Sequence, residues 1–214
     1  MSLPDKDKPK RLNGIGKNQM LYDLGLDEKD LDNKKKVWDK IGQIERNFDL
    51  VMIAEYFPES MVLLRQTLCW NMSDVTSFQL NGRMLNRKNE LDEQRREKLA
   101  QYLANDYMLY NHFKKLFIQR MSKFGFAKLE QEVSELNNLN KQIADQCNLE
   151  AKPNAYLKGD QKWFGPPYLV GFSFKNSKDS RDENCALMTM SGLKYIERIR
   201  DGQRQKAELL LSSG

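Results

Sequence analysis

The chain has 214 residues, 40% hydrophobic and 30% charged, with 35 Lys and Arg against 30 Asp and Glu for a formal net charge of +5. That length holds one good core or two small ones. Acidic and basic residues are intermixed, with no basic stripe carrying interleaved aromatics, which argues against a nucleic-acid partner; no run of roughly 18 apolar residues is long enough to cross a bilayer.

Residues 1–16, rich in Lys, Asp and Pro, read as a flexible lead-in. Their charged opening, without an apolar stretch, is not expected to act as a signal peptide. Gly14-Ile15-Gly16-Lys17 is a poor phosphate loop, because the Walker pattern needs four residues between its glycines and Ser or Thr after the Lys. Asp32 or Asn33 is placed to cap a helix running through Val37, Trp38, Ile41 and Ile44, with Asn47 as its stop. A strand is expected at 48–54: Leu50-Val51-Met52-Ile53-Ala54 is continuously apolar, as in a strand covered on both faces, and it ends on Glu55. Pro58 fits the first turn of a helix over 58–69, where its missing N–H is no loss. Met61, Leu64, Leu68 and Cys69 recur there at helical spacing, with Arg65 on the other side. Helix, strand and helix in succession make an α/β alternation.

Val75–Leu80 is a second short extended candidate. One long helix is expected from Leu91 or Asp92 to about Lys123, with an apolar face of Leu99, Leu103, Leu109, Tyr110, Phe113, Phe117 and Met121, and Gly125 as its stop. From about Ala127 to Cys147, residues Leu129, Val133, Leu136, Asn140, Ile143 and Cys147 form a heptad seam with one polar member. Residues 148–184 are loop-rich, with a strand candidate at Tyr168–Phe174. A last helix is expected at about Ala186–Arg200, and the polar tail from Asp201 should fray.

Among polar residues, Glu55 has the most pointed position, at the C-terminal end of a strand, where ligands gather in open α/β sheets. It reads as a base or hydroxyl acceptor, or else as a carboxylate capping the 58–69 helix. His112, the only histidine, lies mid-helix between Tyr110 and Phe113 and reads as a partly buried helix residue with a local hydrogen bond. With one histidine and no CxxC pair, a zinc site is not expected. The three cysteines read either as inert thiols, Cys69 buried in an apolar helix end, or as one pair and a spare.

The segment DLVMIAEYFPESMVLLRQTLCW (49–70), followed by LNGR (80–83), resembles the C-terminal half of the galactose 3-O-sulfotransferases, the family of galactosylceramide sulfotransferase. KNQMLYDLG (17–25), LYNHF (109–113) and the spacing from Cys147 to Cys185 to Tyr195 fit the same family, so the resemblance runs over most of residues 17–200. It implies an α/β fold of P-loop sulfotransferase type, incomplete, with a helix-rich C-terminal portion. In this division 1–16 is the lead-in, 17–200 the C-terminal part of the sulfotransferase domain and 201–214 a polar tail.

The implied reaction moves a sulfuryl group from 3′-phosphoadenosine 5′-phosphosulfate (PAPS) to the 3-hydroxyl of galactose in galactosylceramide or related glycolipids and glycans, without a metal. The implied location is the luminal side of the Golgi membrane, held by an N-terminal anchor that this chain lacks. The phosphosulfate-binding half also lacks a counterpart, so this fragment alone is expected to be inactive. Within what remains, Asn81, Arg83 and Lys88 are the donor-binding candidates, an amide and cations suited to an oxyanion. Glu55 is the catalytic candidate, and the two groups are expected to face a common cleft. In a Golgi lumen Cys147 and Cys185 would be paired, and Asn71-Met72-Ser73 is a glycosylation sequon. The rival readings are a catalytically inactive fragment and a helical interaction module that self-associates through the 127–147 heptads.

Overall fold

A computed structural model describes residues 16–80, 82–83, 92–175 and 182–212. The described chain is mostly helical. Its helices are α1 (Gln19–Asp23), α2 (Lys34–Asn47), α3 (Phe57–Leu68), α4 (Glu93–Tyr102), α5 (Ala104–Phe124), α6 (Phe126–Gln146), α7 (Glu183–Thr189) and α8 (Gly192–Ser212). The strands β1 (Gly82–Arg83), β2 (Leu149–Pro153) and β3 (Leu169–Phe174) form one antiparallel sheet in the order β1-β3-β2. Contacts divide the chain into two compact units, Met1–Trp70 with Glu90–Val133, and Asn71–Asn89 with Ser134–Gly214.

In the first unit α5 is the central pillar, packed by α1, α2 and α4. Asn33 caps α2 by accepting from the Lys36 N–H, as its residue type suggests. Val37, Ile41 and Ile44 of α2, Val62 and Leu63 of α3, and Leu109, Phe113, Phe117 and Met121 of α5 are buried at helical spacing. The expected single helix over 92–123 is broken at Leu103. The break places Asn105 and Asp106 in the interior, where they bond chain that a straight continuation of α4 would not address. Asn105 Nδ2 donates to the Leu31 carbonyl at 2.6 Å, and Asp106 accepts from the Met20 and Leu21 N–H groups, each at 3.0 Å. Asn18, fully buried at φ 50°, accepts from the Asp106 N–H at 3.2 Å.

The expected strand at 48–54 has no ladder partner among the described residues. It is an extended segment that ends in a 3₁₀ turn at Ala54–Tyr56. Val75–Leu80 is no strand either: Met72–Val75 is a 3₁₀ turn, closed by Asp74 accepting from the Asn71 N–H. An expected α/β alternation is thus seen here as helices with one small antiparallel sheet.

Cys69 is exposed rather than buried, and it ends α3 in the left-handed region at φ 54°, ψ 37°. A Cβ is disfavoured in that conformation, and Gly is the usual residue at such a helix end. Cys69→Gly is therefore expected to raise the stability of the first unit by about 1 kcal/mol, read from denaturant midpoints at unchanged m.

In the second unit β2 and β3 pair from Leu149↔Phe174 to Pro153↔Val170. The Cys147–Cys185 disulfide joins the end of α6 to α7 and sits with Leu149 in a core covered by Phe78, Ile143, Phe172 and Phe174. Asn154 is buried and latches the following loop, donating to the Trp163 and Gly165 carbonyls at 2.9 and 3.1 Å and accepting from the Trp163 N–H at 2.8 Å. The heptad seam of α6 is turned to packing within the chain: Leu129 and Leu136 are buried, and Asn140 accepts from the Ser77 N–H. The expected last helix is two, α7 and α8, and the expected frayed tail is helical as far as Ser212.

Candidate functional site

Glu55 lies in the 3₁₀ turn that closes the extended segment, and two residues of α5, Tyr110 and Lys114, meet it. They stand four apart, so both project from one face of the helix. The Tyr110 hydroxyl donates to Glu55 Oε1. Lys114 Nζ is 3.0 Å from the same oxygen and 3.0 Å from the Tyr110 hydroxyl. The ammonium also lies 5.5 Å from the Tyr56 ring centre and 5.3 Å from that of Tyr110, within cation–π range. Tyr56 stacks in turn on Phe117. The turn is anchored below by Ser60, whose hydroxyl pairs with both the N–H and the carbonyl of Ile53.

Glu55 does not cap α3 with its side chain, so the capping alternative is not what occupies it. The Tyr110 hydrogen bond, then its own backbone and Lys114, hold its carboxyl below the usual carboxylate range. Lys114 is raised above its ordinary value, chiefly by Tyr110 and next by Glu55. A lowered acid and a raised base fix the sign. The mutual stabilisation is complete between the reference values of 4.5 and 10.5. It is lost on the acid side as pH falls through the depressed Glu55 value, and on the alkaline side as pH rises through the raised Lys114 value. Tyr110→Phe removes the largest cause and is expected to move the Glu55 titration upward, which carbon NMR of the side-chain carboxyl would follow. An unmoved midpoint would mean that the hydroxyl does not hold the carboxylate.

Glu55 and Tyr110 stand beside an apolar groove of about 570 Å³, lined also by Met20, Leu24, Met52 and Phe113. A fixed, ionised carboxylate beside apolar surface can accept a hydrogen bond or a proton from a hydroxyl laid along the groove. Lys114 is absent from the sequence expectations, where Tyr110 reads with its aromatic neighbours either as a sugar-stacking surface or, more often at such spacing, as core; their pairing was legible only as an i, i+4 relation on α5.

The donor candidates fare differently. Arg83 is in β1, with its backbone paired to Leu169; Asn81 and Lys88 lie outside the described residues. Glu55 belongs to the first unit and Arg83 to the second. His112 stands apart from this cluster: its Nε2 pairs with the Glu45 carboxylate at 2.8 Å, and the ring packs edge-on against Trp38 and Phe113. Among the described residues no group of three or more His, Cys, Asp or Glu is placed to hold a metal ion, and no helix is long and apolar enough to cross a membrane.

The family model described as galactose-3-O-sulfotransferase matches residues 7–203. Mouse (Mus musculus) galactose-3-O-sulfotransferase 3 is 37% identical over 213 residues, 92% of this chain and 49% of that protein. Mouse galactose-3-O-sulfotransferase 2 is 30% identical over 86% of this chain and 48% of its own length. Bovine (Bos taurus) galactosylceramide sulfotransferase is 31% identical over 84% of this chain and 44% of its own length. The chain thus spans about half the length of the curated relatives it matches. No solved structure matches.

Proposed function

Since the chain belongs to the galactose-3-O-sulfotransferase family, we propose that it forms the C-terminal part of a PAPS-dependent enzyme that sulfates the 3-hydroxyl of galactose. The acceptor class is galactosylceramide or a related galactose-terminated glycolipid or glycan. The observation that carries this reading is the family match across nearly the whole chain. The disulfide in the second unit agrees with a luminal, oxidising location such as the Golgi. The P-loop type of fold is part of the proposal, with the phosphosulfate loop supplied by the half of the domain that this chain does not match.

In the proposed step the galactose O3 attacks sulfur, the O3–S bond forms, and the bond from sulfur to the 5′-phosphate oxygen breaks. Adenosine 3′,5′-bisphosphate leaves with that electron pair. Glu55 accepts the hydrogen bond of the attacking hydroxyl and takes its proton. A carboxyl held below the usual carboxylate range is a stronger acid and so a weaker base, which suits a loose transfer in which the proton departs late, when the hydroxyl has become acidic. Lys114 and Tyr110 keep Glu55 ionised and aimed. Asn81, Arg83 and Lys88 would hold donor oxyanions, Arg83 through its planar fork.

The test is a chimera in which this chain replaces the matched part of mouse galactose-3-O-sulfotransferase 2, supplied with radiolabelled PAPS and galactosylceramide. Labelled 3-O-sulfogalactosylceramide is the expected product, with the chain by itself giving none. A folded chimera that binds adenosine 3′,5′-bisphosphate but labels no galactose would overturn the reaction. Arg83→Ala with unchanged nucleotide affinity would overturn the donor assignment.

A further inference from the structure

The segment 50–52 is extended yet its backbone is unused. Ile53 is satisfied by Ser60 and by the Tyr56 N–H, and the Asp49 carbonyl accepts from Arg120. The N–H and carbonyl groups of Leu50, Val51 and Met52 have no hydrogen-bond partner among the described residues. Leu50 and Val51 are half-buried and Met52 is exposed.

The side chains point the same way. Ile53 is buried in the first unit's core, while Met52 is 47% exposed and Phe48 52%. One face of the apolar segment therefore carries the buried Ile53, and the other carries the exposed Phe48 and Met52 with the half-buried Leu50 between them. Natural free edges are blunted by charge, proline or a bulge. Leu50–Ala54 carries no charge and no proline, and it runs beside the apolar groove. Strands buried on both faces have this all-apolar character.

We infer that Leu50–Met52 is a strand-docking edge that receives an extended apolar segment from the other half of the family domain, the half that relatives such as mouse galactose-3-O-sulfotransferase 2 carry beyond the region matched here. Main-chain hydrogen bonds to Leu50–Met52 would give the register, and alternate side chains of the docked segment would cover the exposed Met52. The share of the relatives left unmatched, about half their length, supplies an occupant of sufficient size. The inference rests on family membership and not on the transfer reaction, so it survives an inactive chimera.

The experiment co-expresses the full chain with the unmatched half of mouse galactose-3-O-sulfotransferase 2 as a separate, tagged polypeptide. Capture on the tag and amide hydrogen exchange are both read. In the chain alone the Leu50, Val51 and Met52 amides are expected to exchange freely; in the captured complex they should slow at least 100-fold. Met52→Asp, on an exposed side chain, should leave the melting of the chain unchanged and cut capture at least tenfold. Phe164→Asp, 95% exposed in the second unit, should leave capture unchanged. Three results would overturn the inference: no capture from cells in which both polypeptides are soluble, capture with the three amides still exchanging freely, or protection that appears in the chain alone as its concentration rises, which would make the occupant a second copy.

Discussion

Cys185→Ser is expected to lower the stability of the second unit by about 4 kcal/mol, the largest single effect we anticipate. The disulfide closes a loop of sequence separation 38 between the end of α6 and α7, with Cα atoms 5.6 Å apart. In the chain-entropy account, a loop of about forty residues restricts the unfolded ensemble by about 13 cal/mol/K, hence about 4 kcal/mol at room temperature. The bond also sits in this unit's core beside Leu149 and Phe172, so the substitution places a hydroxyl in an apolar site as well. Reductant should reproduce the loss in the unmodified chain and have no further effect on the variant. Identical melting of the second unit with and without reductant would show that the bond does not contribute.

Asp106→Ala is expected to cost the first unit about 3 kcal/mol, since two backbone N–H groups, those of Met20 and Leu21, lose their acceptor in or near the interior at about 1–3 kcal/mol each. A fall in melting temperature of roughly 10–20 °C corresponds to that loss in a domain of this size. Asp106→Asn keeps one acceptor oxygen and should lose about half as much. The carboxylate also sits at the N-terminus of α1, where negative charge is favoured. Equal stability of Asp106→Ala and the unmodified chain would mean that solvent serves α1 instead.

These two residues mark what could and could not be read from the chain. Helical periodicity located α2, α3 and α6 to within a residue or two, because their apolar faces are one-sided and Pro58 and Gly125 punctuate them. The same periodicity carried the expected helix straight through Leu103. The break depends on Asn105 and Asp106 finding partners more than seventy residues away, and no local pattern encodes that. The expected strand at 48–54 was legible as an extended apolar run, but a strand needs a neighbour, and its own sequence does not say where that neighbour lies. The helix at 201–212 was missed because a polar composition hides it when its apolar residues, such as Leu209 and Leu210, remain exposed.

The site was legible in part for the same reason. Glu55 was conspicuous as the carboxylate ending an apolar run. Tyr110 and Lys114 were hidden in an aromatic helix whose other members, Phe113 and Phe117, are core. The heptad seam of α6 was real as a pattern and is used within the chain, with Leu129 and Leu136 buried.

The placement of Glu55 at the reacting hydroxyl is tested most directly by Glu55→Gln in the chimera that carries this chain. The amide keeps an oxygen for Tyr110 and the shape of the turn but cannot take a proton. The account predicts a fall in kcat of about 100-fold or more, with nucleotide affinity unchanged and melting lowered only slightly by loss of the exposed pairing with Lys114. Full turnover by a folded Glu55→Gln chimera would contradict it and leave the Glu55–Tyr110–Lys114 cluster a structural tie between α5 and the turn.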